Sequence, residues 1–364
     1  MPNPTRRPSR LRRSMWPVTL LLIAVMALTA CTPIAQTDPG PSAPADGVNP
    51  DSQADAPLVI YSGRNENLVG PLLEQFQAET GIPVEVRYGG TAEMAATILE
   101  EGNNSPADVY YGQDAGALGA LAKAGRLAPL TEETLALVDP AFRSTNGDWV
   151  GTSGRARVLV YNTDLVSPDE LPGDIWALTE DRWQGKVGWA PTNGSFQAFI
   201  TALRVLEGQD QARSWLQAMI DNGVQIYANN TSIVEATGRG EVEVGLVNHY
   251  YLLRFLAEQG ESFPARNHFF PVANAGGMIN VAGAGVINTS ENNEAAQTFV
   301  AYLLSSAAQQ YFADETNEYP LIPDIDLNPA LPALEEIATP DIDLSDLDDL
   351  QGTLDLLQDV GALD

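Results

Sequence analysis

The 364-residue chain has a single cysteine, Cys31, and only two histidines. One thiol excludes an intramolecular disulfide framework and any Cys-x-x-Cys zinc or redox site. Two histidines make a His-rich metal centre or a Ser-His-Asp hydrolase a poor fit. Positive charge is scarce as well: 19 Lys and Arg stand against 48 Asp and Glu, for a net charge of −29. A phosphate backbone would repel such a chain, which argues against a nucleic-acid partner. Docking by charge onto anionic lipid is disfavoured for the same reason. There is no nucleophile–base pair, Gly-rich phosphate loop or metal-activated-water motif, so an enzyme is not expected. Apolar residues make up an ordinary 44%, which suits a globular chain. At this length two lobes are expected, because one core stops growing at about 250–300 residues.

Long apolar runs are also lacking, with one exception. Residues 16–30 follow five arginines (Arg6, Arg7, Arg10, Arg12, Arg13) and lead into Leu28-Thr29-Ala30-Cys31. A basic start, an apolar stretch and a small-residue end make a secretory signal, too short for a comfortable membrane span. Cys31 falls where a bacterial lipoprotein box puts its lipidated cysteine. Residues 1–30 are therefore read as a lipoprotein signal peptide and Cys31 as a lipidation site. Residues 32–56 are Pro, Ala, Asp, Gly, Ser and Gln with almost no bulky apolar group, and such a composition cannot order itself by burial. Residues 31–56 are read as a flexible tether. The protein is expected outside the cytoplasm, anchored to the cell membrane by lipid, in the periplasm or at the cell surface. Removing residues 1–30 takes five arginines and no acid, leaving 334 residues with 14 basic against 48 acidic groups, net −34.

From residue 57 onward, short apolar runs alternate with helical spacing. Strands are expected at 57–62, 84–88, 107–111, 157–161, 224–227, 242–247 and 281–287. Helices are expected at 66–80, 91–101, 115–124, 196–206, 211–221, 250–259 and 292–304, with Gly81 and Gly102 as stops. The alternation indicates an α/β architecture with mainly parallel sheets, in which ligands sit at the carboxyl ends of strands. No repeat unit is visible. In the acidic tail, Leu344, Leu347, Leu350, Leu354 and Leu357 recur at spacings of three and four, as in an amphipathic helix or two packing on a lobe. An acidic interaction tail is the alternative.

LVIYSGRNE (58–66), FQAETGIPVEV (76–86), SPADVYYGQDAGAL (105–118), SGRARVLVYN (153–162), WQGKVGWAPTNGSF (183–196), LVNHYYLLR (246–254) and NEYPL (317–321) follow one another in an order and spacing that resemble a known family. It is the ferric-ion-binding proteins of bacterial ABC importers, a branch of the extracellular solute-binding proteins (family 1). The resemblance covers roughly residues 57–325. It implies the two-lobed type II periplasmic-binding-protein fold, with ligand in the interlobe cleft. One lobe would hold residues 57–155 and 276–325, the other 156–275 and 326–364, with crossovers near 155–157 and 273–277. It also implies delivery to an ABC permease and its ATPase, and a monomer is expected.

Tyr250 and Tyr251 are the sharpest site candidates. They follow the 242–247 strand at a helix start that Asn248 is placed to cap. Adjacent residues there lie about 100° apart, so both phenols can reach one cleft. Fe3+ is a hard cation that favours anionic oxygen, and binding would force the phenols, ordinarily near pH ~10, to deprotonate. The positive helix end would favour phenolate. By resemblance, Tyr161 is a third phenolate. Two positions depart from the family pattern: Asn65 stands where a histidine ligand often occurs, and Gln113 where a glutamate does. Glu66 offers a carboxylate at a position some relatives fill with tyrosine, while Asp114 reads equally as a helix cap. Asn193, Gly194 and Ser195, entering a helix, and Asn230 match the anion region, where relatives hold carbonate or phosphate beside the metal. Arg155 and Arg157 are the available cations, with Arg155 assigned to the anion. His249 is expected behind the site. With the histidine and glutamate ligands replaced, a small organic or oxyanion ligand (thiamine, a polyamine, a phosphorylated acid) is the alternative cargo.

Overall fold

The computed structural model describes residues 56–363. The expected signal peptide, Cys31 and nearly all of the tether lie outside the described residues. Among those described, no helix is long and apolar enough to cross a membrane.

The chain opens with three βα units. They are β1 (Leu58–Ser62), α1 (Glu66–Thr80), β2 (Val84–Tyr88), α2 (Thr91–Glu101), β3 (Val109–Gly112) and α3 (Ala115–Lys123), followed by the short α4 (Glu132–Leu135). The first helix shows why. The Asn65 side chain accepts the Asn67 amide proton at 2.9 Å, capping the start. Val69, Leu72, Leu73 and Phe76 recur on one buried face, and Gly81, at φ 74°, ends the helix in the left-handed conformation. β1 pairs in parallel with β2 and with β3.

The long strand β4 (Val150–Asn162) follows, then β5 (Val187–Trp189), α5 (Gly194–Glu207), α6 (Gln209–Asp221), β6 (Gln225–Ile226) and α7 (Asn230–Gly238). After these come β7 (Val244–Asn248), α8 (Tyr250–Gln259), β8 (Ala265–His268), β9 (Ile279–Val286), α9 (Asn293–Tyr302), α10 (Ser306–Tyr311) and α11 (Leu350–Asp359). The strand order is β2-β1-β3-β9-β4-β7-β5-β6, with β8 paired to β4.

β4 joins the two halves of the sheet. From Val150 to Ala156 it pairs antiparallel with β9; from Arg157 to Asn162 it pairs with β7 and β8. The partner changes between Ala156 and Arg157. Gly154 and Tyr319 add a backbone bridge, N–H to carbonyl in both directions at 2.7 and 2.8 Å.

The core follows this division. Ile60, Phe76, Val109, Leu118 and Phe299 bury in a cluster around β1, β3 and β9. Trp183, Trp189, Phe196, Phe199 and Trp215 bury in another around β5, α5 and α6. In the second, Trp189, Phe196, Phe199 and Trp215 form a chain of edge-to-face rings 5.2–5.6 Å apart, which fixes the start of α5. Gly245 lets α7 lie close on β7: a Cβ there would sit 2.1 Å from Ile233 Cγ2.

Three features differ from the sequence reading. The sheet is mixed, because β4 and β9 cross antiparallel between the parallel βα units. The first half of β4 (residues 150–156) and all of β8 were not anticipated. Thr152, Ser153 and Gly154 have no apolar signature, yet they are buried. The tail does not belong to one lobe: Leu344 and Leu347 bury in the first cluster, Leu356 and Leu357 in the second.

Beside the crossing strands lies a buried ion pair. Arg64, just after β1, donates Nη1 and Nη2 to the two carboxylate oxygens of Glu318 at 2.9 and 2.8 Å, and Ser153 Oγ donates to Glu318 Oε2 at 2.6 Å. Burial alone would push the Glu318 carboxyl up; the Arg64 charge and hydrogen bonds outweigh it and hold the group at about 2. Its folded value thus lies below the ordinary 4.5, so the stabilisation is complete above pH 4.5 and is lost as pH falls toward 2. Glu318→Gln is expected to cost about 3–5 kcal/mol at pH 7, because it strands a buried guanidinium. Urea unfolding of parent and variant from pH 7 to 3 checks this: the parent should lose stability below pH 4.5, and the gap between the two proteins should narrow.

Candidate functional site

The site grows from the end of β7. Its last residue, Asn248, pairs with Arg157, the first β4 residue past the change of partner. His249 then locks the junction. Its amide donates to the Ala156 carbonyl at 3.0 Å, Nδ1 accepts the Ala156 N–H at 3.1 Å, and Nε2 donates to the Asn317 carbonyl at 2.7 Å. Burial drives its basicity down to about 4, against the pull of those hydrogen bonds, so the ring is neutral. His249 therefore faces the crossing strands and is fully used there. It is also the residue at the cap of α8, in helical conformation. Asn248 is not the cap, because its side chain is turned to Arg157.

Tyr250 and Tyr251 open α8 with their rings stacked, centroids 4.5 Å apart and planes 29° apart. One turn on, the Arg254 guanidinium lies over both rings, 5.3 and 5.6 Å from their centroids. Tyr250 is only 5% exposed, so a solute reaches it only if the cleft opens. Burial first, then the neighbouring Tyr251, raise the Tyr250 phenol well above 10, while Arg155 pulls the other way. The Arg64 and Arg157 guanidiniums feel the same phenol, and Arg157 feels Tyr251 too.

A polar cluster faces this pair. Asn193 caps α5, its Oδ1 accepting the Ser195 amide at 3.0 Å and the Ser195 hydroxyl at 2.6 Å. Asn230, the first residue of α7, donates to Asn193 Oδ1 and Ser195 Oγ at 3.2 and 3.1 Å. Arg157 Nη1 donates to Ser195 Oγ and Asn248 Oδ1, both at 3.2 Å. Its Nη2 and Nε are buried with no protein partner. Burial lowers the Arg157 guanidinium to about 10, against the pull of Tyr250 and Tyr251. Two unpaired guanidinium nitrogens beside the amino end of a 14-residue helix form a ready anion cradle.

Asn193, Gly194, Ser195 and Asn230 come together as expected, but the cation among them is Arg157. Arg155 is corrected to a different place: it pairs in register with Asn280 of β9 and donates to the Gln113 carbonyl. Tyr161 is not brought to the pair. It lies opposite Val244, at the far end of β7 from Asn248, four residues beyond Arg157 along β4, or ~13 Å at about 3.3 Å per residue. It packs half-buried against the Trp189 cluster instead. Gln113 stands at the carboxyl end of β3, but its side-chain oxygen accepts from Arg64 at 3.1 Å. Glu66 is the exposed first residue of α1, with no side-chain partner to fix it. Asp114 caps α3 through the Ala117 amide at 3.2 Å. Among the described residues, no three His, Cys, Asp or Glu side chains gather as a metal-holding group.

Sequence reasoning did not single out Arg64, Glu318 or Arg254, and took Asn248 for a cap. The available signal was the placement of charged residues inside otherwise apolar motifs, in a chain with few basic residues.

Comparison with known proteins places this arrangement. The Fe(3+)-binding periplasmic protein of Serratia marcescens is 31% identical over 314 residues, covering 86% of this chain and 92% of that protein. The crystal structure of iron-bound HitA from Pseudomonas aeruginosa superposes with a TM-score of 0.77 at 38% identity, covering 84% of this chain and 99% of that one. The Trichodesmium protein IdiA (FutA), solved with iron and citrate, superposes with a TM-score of 0.74 at 29% identity over 84% and 99% of the two chains. These neighbours share the two-lobed type II periplasmic-binding-protein fold. Residues 72–339 match the family described as bacterial extracellular solute-binding protein, and the chain belongs to that family.

Proposed function

We propose that the protein is the lipid-anchored substrate-binding component of an ABC importer, that it binds ferric iron through the Tyr250 and Tyr251 phenolates, and that it delivers the iron to a membrane permease. It is a binding protein and not an enzyme. The observation that carries the reading is the stacked Tyr250–Tyr251 pair at the strand-to-helix junction, facing the arginine-lined polar cluster. The names of the relatives, Fe(3+)-binding and iron-bound, agree with it.

Two phenolates do not neutralise Fe3+, and Tyr161 is too far away to add a third. Arg155, Arg157 and Arg254 would repel a bare trivalent cation, while Arg64 is offset by Glu318. Both arguments call for an accompanying oxyanion, such as carbonate, phosphate or a carboxylate, held by Asn193, Ser195, Asn230 and Arg157. Glu66, at the rim of the first lobe, is the available carboxylate when the lobes close. In this reading Gln113 serves Arg64 and is not a ligand. Lobe closure is a hinge motion about the β4 crossing, and the closed form is what the permease recognises.

The unpaired nitrogens of Arg157 favour one second reading: an oxyanion or phosphorylated acid bound without iron. They disfavour the cationic alternatives, thiamine and polyamines.

Ferric citrate added to the mature protein (residues 32–364) is expected to give a visible phenolate-to-iron charge-transfer band. The band should vanish in Tyr250→Phe/Tyr251→Phe and survive in Tyr161→Phe. Loading should weaken as pH falls, because the phenols must lose protons to bind. A colourless parent, with retained binding of phosphate or a phosphorylated acid, would favour the second reading. Arg157→Leu is expected to weaken iron loading about tenfold, the worth of roughly one charge-assisted hydrogen bond, and to abolish its dependence on added anion; competition against a chelator at varied carbonate or phosphate measures both. Cys31→Ser should move the protein from the membrane fraction to the soluble extracytoplasmic fraction, as read by fractionation.

A further inference from the structure

The C-terminal segment makes a second, non-strand link between the lobes. Its 3-10 turn at Leu344–Asp348 lies mainly against α3 and also touches α5. Two glycines allow the approach: a Cβ on Gly116 would sit 2.4 Å from the Leu347 carbonyl oxygen, and one on Gly119 would sit 2.4 Å from that of Ser345. Leu344 and Leu347 bury in the first-lobe cluster, and Lys123 at the end of α3 pairs with Asp348 at 2.7 Å.

The next residue belongs to the other lobe. Arg204 of α5 donates to the Asp349 carboxylate at 2.6 Å and to its carbonyl at 3.0 Å. Asp349 then caps α11 through the Gly352 amide at 3.0 Å. α11 lies on α5, with the buried Thr353 and Thr201 hydroxyls 2.7 Å apart. Leu356 and Leu357 bury among the second-lobe residues, and Arg213 pairs with Asp359 at 3.1 Å. Two consecutive aspartates are thus held by cations of opposite lobes.

We propose that residues 344–359 are a clasp that limits how far the two lobes separate. A rotation about the Ala156–Arg157 junction that parts α3 from α5 must either pull the 3-10 turn off α3 or twist the chain at Asp349. The α11 side is anchored by buried hydroxyls and a whole helix. The α3 side is anchored by two leucines and one ion pair whose lysine is 77% exposed. The α3 side is therefore the one that lets go, and the clasp biases the apo protein toward the lobe arrangement in which these contacts are made. The inference rests on the two-lobed fold and not on the identity of the cargo.

The test is the interlobe distance in the apo protein. Spin labels at Glu74→Cys on α1 and Gln217→Cys on α6, in a Cys31→Ser background, report it by pulsed electron resonance. Gly119→Val forces the turn away from α3, and a longer-distance population should grow several-fold over the parent. Lys123→Glu repels Asp348 at an exposed position that tolerates change; the same population should grow, though less. Both variants folded by circular dichroism yet matching the parent distribution would overturn the clasp. If Gly119→Val fails to fold, Lys123→Glu and Leu347→Ala decide by the same measure. No iron is added, so the result stands apart from the ferric reading.

Discussion

Backbone pairing along β4 is the constraint on which the rest depends. One strand serves both halves of the sheet, and it changes partner between Ala156 and Arg157. That single step puts Arg155 among the strand ends of the first lobe and Arg157 beside Asn248 and Ser195 in the second. It also explains the burial of His249. The ring takes the Ala156 N–H and hands its own proton to Asn317, so the polar backbone at the change of partner is satisfied without water. A buried amide left unpaired there would be costly. The tyrosine pair sits one residue past this lock, which fixes its orientation relative to both halves of the sheet.

Electrostatics around the pair follow from the same placement. Arg64 is neutralised by Glu318, a bidentate buried pair, and is thus a structural charge. Arg157 has no carboxylate partner: its side chain meets neutral Ser195 and Asn248, and its guanidinium lies 5.6 Å from the centroid of the Phe199 ring. Burial lowers its basicity and the phenols oppose that. Such a guanidinium is stabilised most by an anion within reach. In the proposed reading the negative charge would come from two sources, deprotonated phenols and a small oxyanion, and a trivalent cation would hold both there together. The chemistry of the proposed site is therefore mutual: neither the arginines nor the metal is well accommodated alone.

The alternating elements and the Tyr250–Tyr251 junction were legible in the sequence because their signals are local. An apolar run, a glycine stop or a residue at a helix start reports on its own neighbours. What was not legible depends on partners far along the chain. Residues 150–156 gave no strand signal because Thr152, Ser153 and Gly154 are not apolar themselves; Gly154 is covered by the side chains of Tyr319, Ile279 and Leu321, which are distant in sequence. Arg155 and Arg157 share a strand face by alternation, and no local signal separates them; only the change of partner does. Tyr161 is one strand residue among others until the register places it opposite Val244 instead of Asn248. The leucines of the tail announce an amphipathic segment, but their spacing does not say that Leu347 and Leu357 enter different cores.

The charge distribution carries the last step. Without residues 1–30 the chain has 14 basic residues against 48 acidic ones, yet four of the fourteen (Arg64, Arg155, Arg157 and Arg254) lie around the tyrosine pair. The far field of the protein is negative and the near field of the proposed site is not. Over distances longer than about a Debye length, ~8 Å at physiological salt, surface charges are largely screened. The acidic surface then acts on approach, raising the local concentration of cations, while the last few ångströms belong to the arginines. A bare cation would be drawn toward the protein and then resisted at the cleft. A ferric ion that already has an oxyanion bound brings the negative charge the arginines lack, and it exposes the metal to the phenols. In the proposed reading, discrimination by this site would rest on the pairing of metal and anion more than on the charge of either.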